Sequence, residues 1–226
     1  GTSDKIEQLN SLINKNQIRF SFFIGRDYFL GSQLDGIAGR TTKLLSQLSL
    51  VLDCIGINYP SIIIRIGSAY GNRKATMKVF CDRVKDLDPK IVSKLMVTND
   101  DKPSLFSITD LLSGVYYECK VPICFRSLAH HFNDGGLSLR EALFLSCSTW
   151  REGLKPIYIY SESSDLDEFG FPSTSSPAGF LSTRIPTFGL ECDVILDSPE
   201  RESCLIKYLS EIKSLPPLVF NRVGKN

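Results

Sequence analysis

Histidine is nearly absent from this chain, with two residues in 226, and those two, His130 and His131, are adjacent. Neighbouring side chains rarely converge on one ion, so at most one of them can serve a metal; the other reading is a pair of surface or turn histidines. The seven cysteines contain no CxxC pair, which removes zinc ribbons and dithiol motifs. Their odd number and scatter, with Cys54, Cys124 and Cys147 inside apolar segments, argue against a disulfide scaffold. A reducing intracellular setting, cytoplasm or nucleus, is expected instead. No GxGxxG follows any strand and no Walker loop occurs, so the common nucleotide cradles are missing. No apolar run approaches the roughly 20 residues of a membrane span and no signal peptide is evident, so no membrane partner is expected. Charge of one sign is missing too. With 26 basic residues against 25 acidic ones, the net +1 gives no global pull toward nucleic acid, and any basic site must be local.

What is present is an ordinary globular composition, 42% hydrophobic and 23% charged, over a length sufficient for a substantial core. The length allows one large domain or two small ones, and residues 1–226 read as one domain with a long irregular stretch inside it. The informative stretch is VPICFRSLAHHFNDGGLSLREALFLSCSTW, residues 121–150. Its apolar run 121–125 reads as a strand buried on both faces, and Asn133-Asp-Gly-Gly136 as a turn. Ser138 with Glu141 forms a capping box for a helix carrying Leu139, Ala142, Leu143 and Leu145. The loop between strand and helix holds Arg126, His130 and His131, at the strand end where parallel α/β folds place their chemistry.

Around this unit the periodicity predicts helices over 4–15, 41–54, 73–86 and from the Ser107-Ile-Thr-Asp110 capping box to about Glu118. It predicts strands over 18–24, 61–66, 95–98, 156–160 and 193–197. Residues 161–191, rich in Ser, Pro and Gly, read as a long surface loop, a lid or a disordered tether. Ser198 is expected to cap a last helix with Pro199 in its first turn, and the tail after Lys213 to be peripheral. Six strands alternating with helices predict a parallel sheet with right-handed crossovers, either doubly wound or an incomplete (β/α) barrel.

Several stretches resemble the UV-damage endonuclease family, metal-dependent DNA-repair nucleases with a TIM barrel. Arg19-Phe-Ser-Phe-Phe-Ile-Gly-Arg-Asp-Tyr28 is similar to that family's RLSFHPGQ segment, and residues 64–74, IRIGSAYGNRK, to IHVGGAYGDK. Residues 95–102, LMVTNDDK, are similar to LVLENDDK, residues 155–161 to PKxHYS, and 193–197 to the closing DVMLE strand. Residues 121–150 resemble its FDxxHH…GGLS…EAL…TW region. The resemblance implies an α/β fold, an incomplete TIM-like (β/α)6 parallel barrel lacking the first two βα units. It also implies unpaired sheet edges near Phe20–Phe23 and Val194–Leu196. Self-association, a protein partner or a preceding segment is expected to cover them.

The same resemblance implies that the metal ligands are mostly replaced. Its histidine and glutamine positions in the first segment fall at Phe23 and Arg26, the next histidine at Arg65, and a glutamate at Thr98. In the central unit an aspartate falls at Arg126 and a histidine at Ala129. The modified lysine and the histidine of PKxHYS fall at Ile157 and Ile159. Only Asp197 keeps a carboxylate. Phe, Ile, Thr and Ala hold no cation usefully, and Arg repels one. The expected function is therefore a catalytically degenerate, non-enzymatic binding or assembly subunit without cofactor, taking phosphate or DNA through a mouth lined by Arg26, Arg65 and Arg126. The alternative is a metal-dependent DNA-repair endonuclease with manganese or another divalent ion on Asp197, Asp100 and His130.

Each candidate also has a plainer reading. The arginines could instead fill the vacated cavity by pairing with Asp197, Asp100 or Glu162, since buried charge must be paired. Asp100 and Asp101 could cap a turn or pair with Lys102. Cys124 reads as a core thiol or a nucleophile beside Arg126. Tyr158 and Tyr160 read as core. Phe169, Phe171, Phe180 and Phe188 could seal the mouth, cover an interface or stack on bases.

Overall fold

The computed structural model describes residues 2–16, 18–25 and 27–218. Its centre is one parallel sheet of β1 (Phe22–Phe23), β2 (Ile62–Ile64), β3 (Leu95–Thr98), β4 (Ile123–Arg126), β5 (Ile157–Tyr160) and β6 (Asp193–Leu196). Spatial order equals chain order. Each crossover therefore moves on by one strand in the same sense, which is the winding of a barrel; a doubly wound sheet would reverse at a switch point. The sheet curls far enough for its ends to meet side chain to side chain. Arg19, ahead of β1, bonds Asp193 at the start of β6 at 2.9 Å and also donates to the Lys155 carbonyl. At the other end of the strands the Phe23 ring of β1 lies against Arg126 of β4. The expected six-stranded partial barrel is what the chain builds.

Side chains alternate across the sheet with the strand period of two. Ile62, Ile64, Leu95, Val97, Phe125 and Tyr158 point outward beneath the helices in the main core. Ile63, Met96, Cys124, Ile157 and Ile159 point inward and close over Trp150, a second, smaller core inside the curl. The wall consists of α1 (Thr2–Lys15), α2 (Asp35–Cys54), α3 (Arg73–Lys85) and α4 (Pro89–Val92), then α5 (Ile108–Leu111), which runs through a π-turn (Leu112–Tyr116) into α6 (Tyr117–Cys119). α7 (Ser127–Phe132), α8 (Leu139–Cys147) and α9 (Arg201–Glu211) complete it. Both predicted capping boxes are made, Ser107 with Asp110 and Ser138 with Glu141. Among the described residues no helix is long and apolar enough to cross a membrane.

Several local expectations are corrected. β1 is a two-residue strand where seven residues were expected: it pairs with β2 only where Phe22 and Ile24 donate to Ser61 and Ile63. α2 starts at Asp35, ahead of the expected Thr41. Gly36 and Gly39 sit within it without conflict. The expected loop after β4 is α7, which starts immediately beyond Arg126. Ser198 does not cap α9. Its hydroxyl accepts from the Glu200 N–H and donates to the Gly179 carbonyl, a turn ahead of the helix. Residues 161–191 are irregular, as expected, yet pinned. The Glu162 carboxylate accepts both the N–H and the hydroxyl of Ser182 and of Thr183, so neither tether nor free lid describes them. The chain after Lys213 also docks, with Arg184 donating to the carbonyls of Leu215 and Pro216.

Candidate functional site

The inward-facing residues at the carboxyl ends of the strands enclose a cleft of about 340 Å³ whose lining includes Phe23, Arg65, Arg126, Ile159, Ile195 and Asp197. Arg65 follows β2 directly, Arg126 ends β4 and Asp197 follows β6, so strand period and parallel register bring them to one mouth. Asn99 fixes the Arg126 backbone, donating to its carbonyl at 3.1 Å and accepting its N–H at 2.9 Å. Both guanidiniums lie over one ring: the Arg65 carbon is 4.9 Å and the Arg126 carbon 5.6 Å from the Phe23 centroid.

Each arginine also faces one carboxylate. Arg65 Nε is 3.5 Å from Asp100 Oδ1, and Arg126 Nη2 is 3.6 Å from Asp197 Oδ2. Both separations exceed the roughly 2.7–2.9 Å of a charge-assisted hydrogen bond, so these contacts are Coulombic rather than bidentate. Burial pushes the Asp100 carboxyl up to about 6, against the opposing pull of Arg65. Its Oδ2 and the Thr98 hydroxyl are buried and find no hydrogen-bond partner among the described residues. Asp197, by contrast, has a side chain 41% exposed at the rim.

The structure thus gathers Arg65, Arg126, Asp100 and Asp197. Arg26 lies outside the described residues. His130 is not brought to the mouth: Nε2 sits 3.1 Å from the Leu137 carbonyl and the ring packs edge-on to Phe125. Burial lowers its pKa, which favours neutral imidazole. Glu162, weighed as an arginine partner, holds the long loop instead. The Cys124 thiol is fully buried and pushed up to about 12, which removes it as a nucleophile. Tyr158 and Tyr160 lie in the main core. Phe169, Phe171, Phe180 and Phe188 are not among the residues lining the cleft, and Phe180 lies under Lys207 of α9. Sequence reasoning missed Phe23 as the platform under both guanidiniums, and no local pattern announces a contact between β1 and β4.

The donor set does not fit a multi-metal centre. The positions that the resemblance assigns to ligands present Phe23, Arg65, Thr98, Arg126 and Ile159, and the one carboxylate, Asp197, already faces Arg126. Among the described residues no group of three or more His, Cys, Asp or Glu is placed to hold a metal ion. Two guanidiniums in so small a cleft also raise the cost of bringing in a cation.

Residues 2–216 match the family described as UV-endonuclease UvdE. The chain belongs to the UvdE family. A UV DNA damage endonuclease of Clostridium perfringens is 25% identical over 218 residues, covering 94% of this chain and 52% of that protein. A UV DNA damage endonuclease of Bacillus cereus strain Q1 is 24% identical, covering 92% of this chain and 66% of that protein. This UvdE-family chain therefore spans about half to two thirds of the length of these relatives. The crystal structure of SacUVDE superposes with a TM-score of 0.78 at 25% identity, covering 94% of this chain and 71% of that one. Endonuclease IV of Thermus thermophilus shares the fold alone, with a TM-score of 0.64 at 12% identity over 93% of this chain and 82% of that one.

Proposed function

We propose that this UvdE-family chain is a non-catalytic binding or assembly subunit whose arginine-lined mouth takes a phosphate-bearing ligand. One observation carries the reading. Arg65 and Arg126 stand together over Phe23 where a metal hydrolase needs carboxylates and imidazoles. Guanidinium forks match phosphate oxygens in shape and charge. The 3.6 Å pairing of Arg126 with Asp197 is Coulombic, and the rim position of that carboxylate makes Arg126 the guanidinium an incoming anion reaches. A DNA phosphate is one ligand of this chemistry. The outer edges of β1 and β6 suit a protein partner or a second copy of the chain.

The relatives' printed name supplies the competing reading, cleavage of UV-damaged DNA through a reduced metal set on Asp197, Asp100 and His130. Asp197→Asn separates the two. Removing the carboxylate that competes for Arg126 is worth roughly 1 kcal/mol at such an exposed position, so inorganic phosphate should bind about fivefold tighter, read by thermal-shift titration. Arg126→Ala should abolish the phosphate-induced stabilisation. Nicking of UV-irradiated duplex that Asp197→Asn eliminates, or near-stoichiometric manganese in protein purified without chelator, would overturn the proposal.

A further inference from the structure

We propose that Cys81 of α3 and Cys119 of α6 form a redox-responsive pair that closes to a disulfide across the outer wall of the sheet. The π-turn brings them together. A Cβ at Gly114 would stand 2.4 Å from Met77 Sδ, so the bare glycine lets α3 approach this closely. Met77 and Cys81 lie one turn apart among the buried residues of α3, and the same approach sets Cys81 Sγ 3.3 Å from the Gly114 carbonyl. Cys119 Sγ lies 3.3 Å from the next carbonyl along, that of Val115. Two sulfurs from α3 and α6 are thus seated on adjacent carbonyls of one turn, close enough for each to shift the other's ionisation.

Their environments differ in a way that assigns roles. Cys81 is buried, whereas Cys119 is half-buried near the exposed Lys85–Glu118 ion pair. The contact with Cys81 holds the Cys119 thiol below its usual range despite burial, while the same contact and burial push Cys81 up. Cys119 is the sulfur that a peroxide reaches first, being the less buried of the two, and is therefore the attacking thiolate. With a peroxide as oxidant, Cys119 Sγ attacks one peroxide oxygen and the O–O bond breaks. The sulfur becomes a sulfenic acid, and the departing hydroxide leaves as water. Cys81 then gives up its proton, attacks Cys119 Sγ and displaces the hydroxyl as a second water. Two electrons pass from the thiols to the peroxide, and one S–S bond is formed. Cys147 and Cys192, which also sense each other, are both pushed up and lack such an ionisable member.

The test uses the full chain treated with hydrogen peroxide, then alkylated and digested with trypsin. The expected result is a linked pair joining residues 79–83 to the peptide that ends at Lys120. Intact mass should fall by two hydrogens and the melting temperature rise by about 5 °C, both reversed by a dithiol reductant. Cys81→Ser and Cys119→Ser should each abolish the linked pair, and Cys54→Ser should not. Full alkylation of Cys81 and Cys119 after the exposed Cys54 has oxidised, or linked peptides joining other cysteines, would overturn the proposal. The peptide map of the unaltered protein decides the matter even if a variant fails to fold.

Discussion

Trp150→Ala is expected to lower the unfolding free energy by about 3–5 kcal/mol, the cost of emptying a large buried aromatic site. Trp150 is 8% exposed and is the one aromatic member of the inner core. Its neighbours there, Ile63, Met96, Cys124, Ile157 and Ile159, are anchored on four different strands and cannot collapse into the gap without bending the sheet. The substitution also removes the Nε1 hydrogen bond to the Ile123 carbonyl, 2.8 Å long, which ties the end of the α8 segment to the foot of β4. Trp150→Phe should recover most of the loss, leaving about 1–2 kcal/mol for the hydrogen bond and residual volume. Urea unfolding followed by circular dichroism measures both, and a loss below about 1.5 kcal/mol for alanine would mean that the inner layer bears little of the stability.

Arg19→Ala should cost about 2–3 kcal/mol, a large effect for a residue outside any regular element. Arg19 sits on the rings of Trp150 and Tyr59, 5.1 and 5.3 Å from their centroids, and reaches Asp193 at 2.9 Å. It therefore joins the approach to β1 to the foot of β6, across the side on which those strands have no mutual ladder. The figure stays below that for a fully buried pair because Asp193 is 41% exposed and Arg19 Nη2 lacks a hydrogen-bond partner among the described residues. Arg19→Lys should recover less than half, since an ammonium cannot reach the Lys155 carbonyl and Asp193 while lying flat on two rings. Asp193→Asn should cost less than about 1 kcal/mol. A wild-type-like urea midpoint for Arg19→Ala would show that the curl holds without this latch.

The legible parts of the fold were those governed by local chemistry. Ser107 and Ser138 announced their helices because a capping box is built from residues three apart. Leu95–Thr98 announced β3 because a strand buried on both faces leaves a continuous apolar run. α7 and the two-residue length of β1 were not legible, since the first has no side-chain cap to announce it and the second is set by where the chain meets β2. Arginines at positions 65 and 126 were identifiable as candidates from the resemblance alone. Their shared platform, Phe23, was not, because it comes from the strand that the curl brings round to face them.

The sequence by itself determined the order of six βα units and their apolar strands, because both are written in spacing along the chain; which positions stand where the family places ligands came from the resemblance. Only the tertiary structure decided which charges meet. Asp100 and Asp197 each took an arginine while Glu162 turned to Ser182 and Thr183, and His130 turned away to Leu137. Ion pairing and burial depend on distances between strands far apart in the chain, and those distances exist only once the sheet has curled.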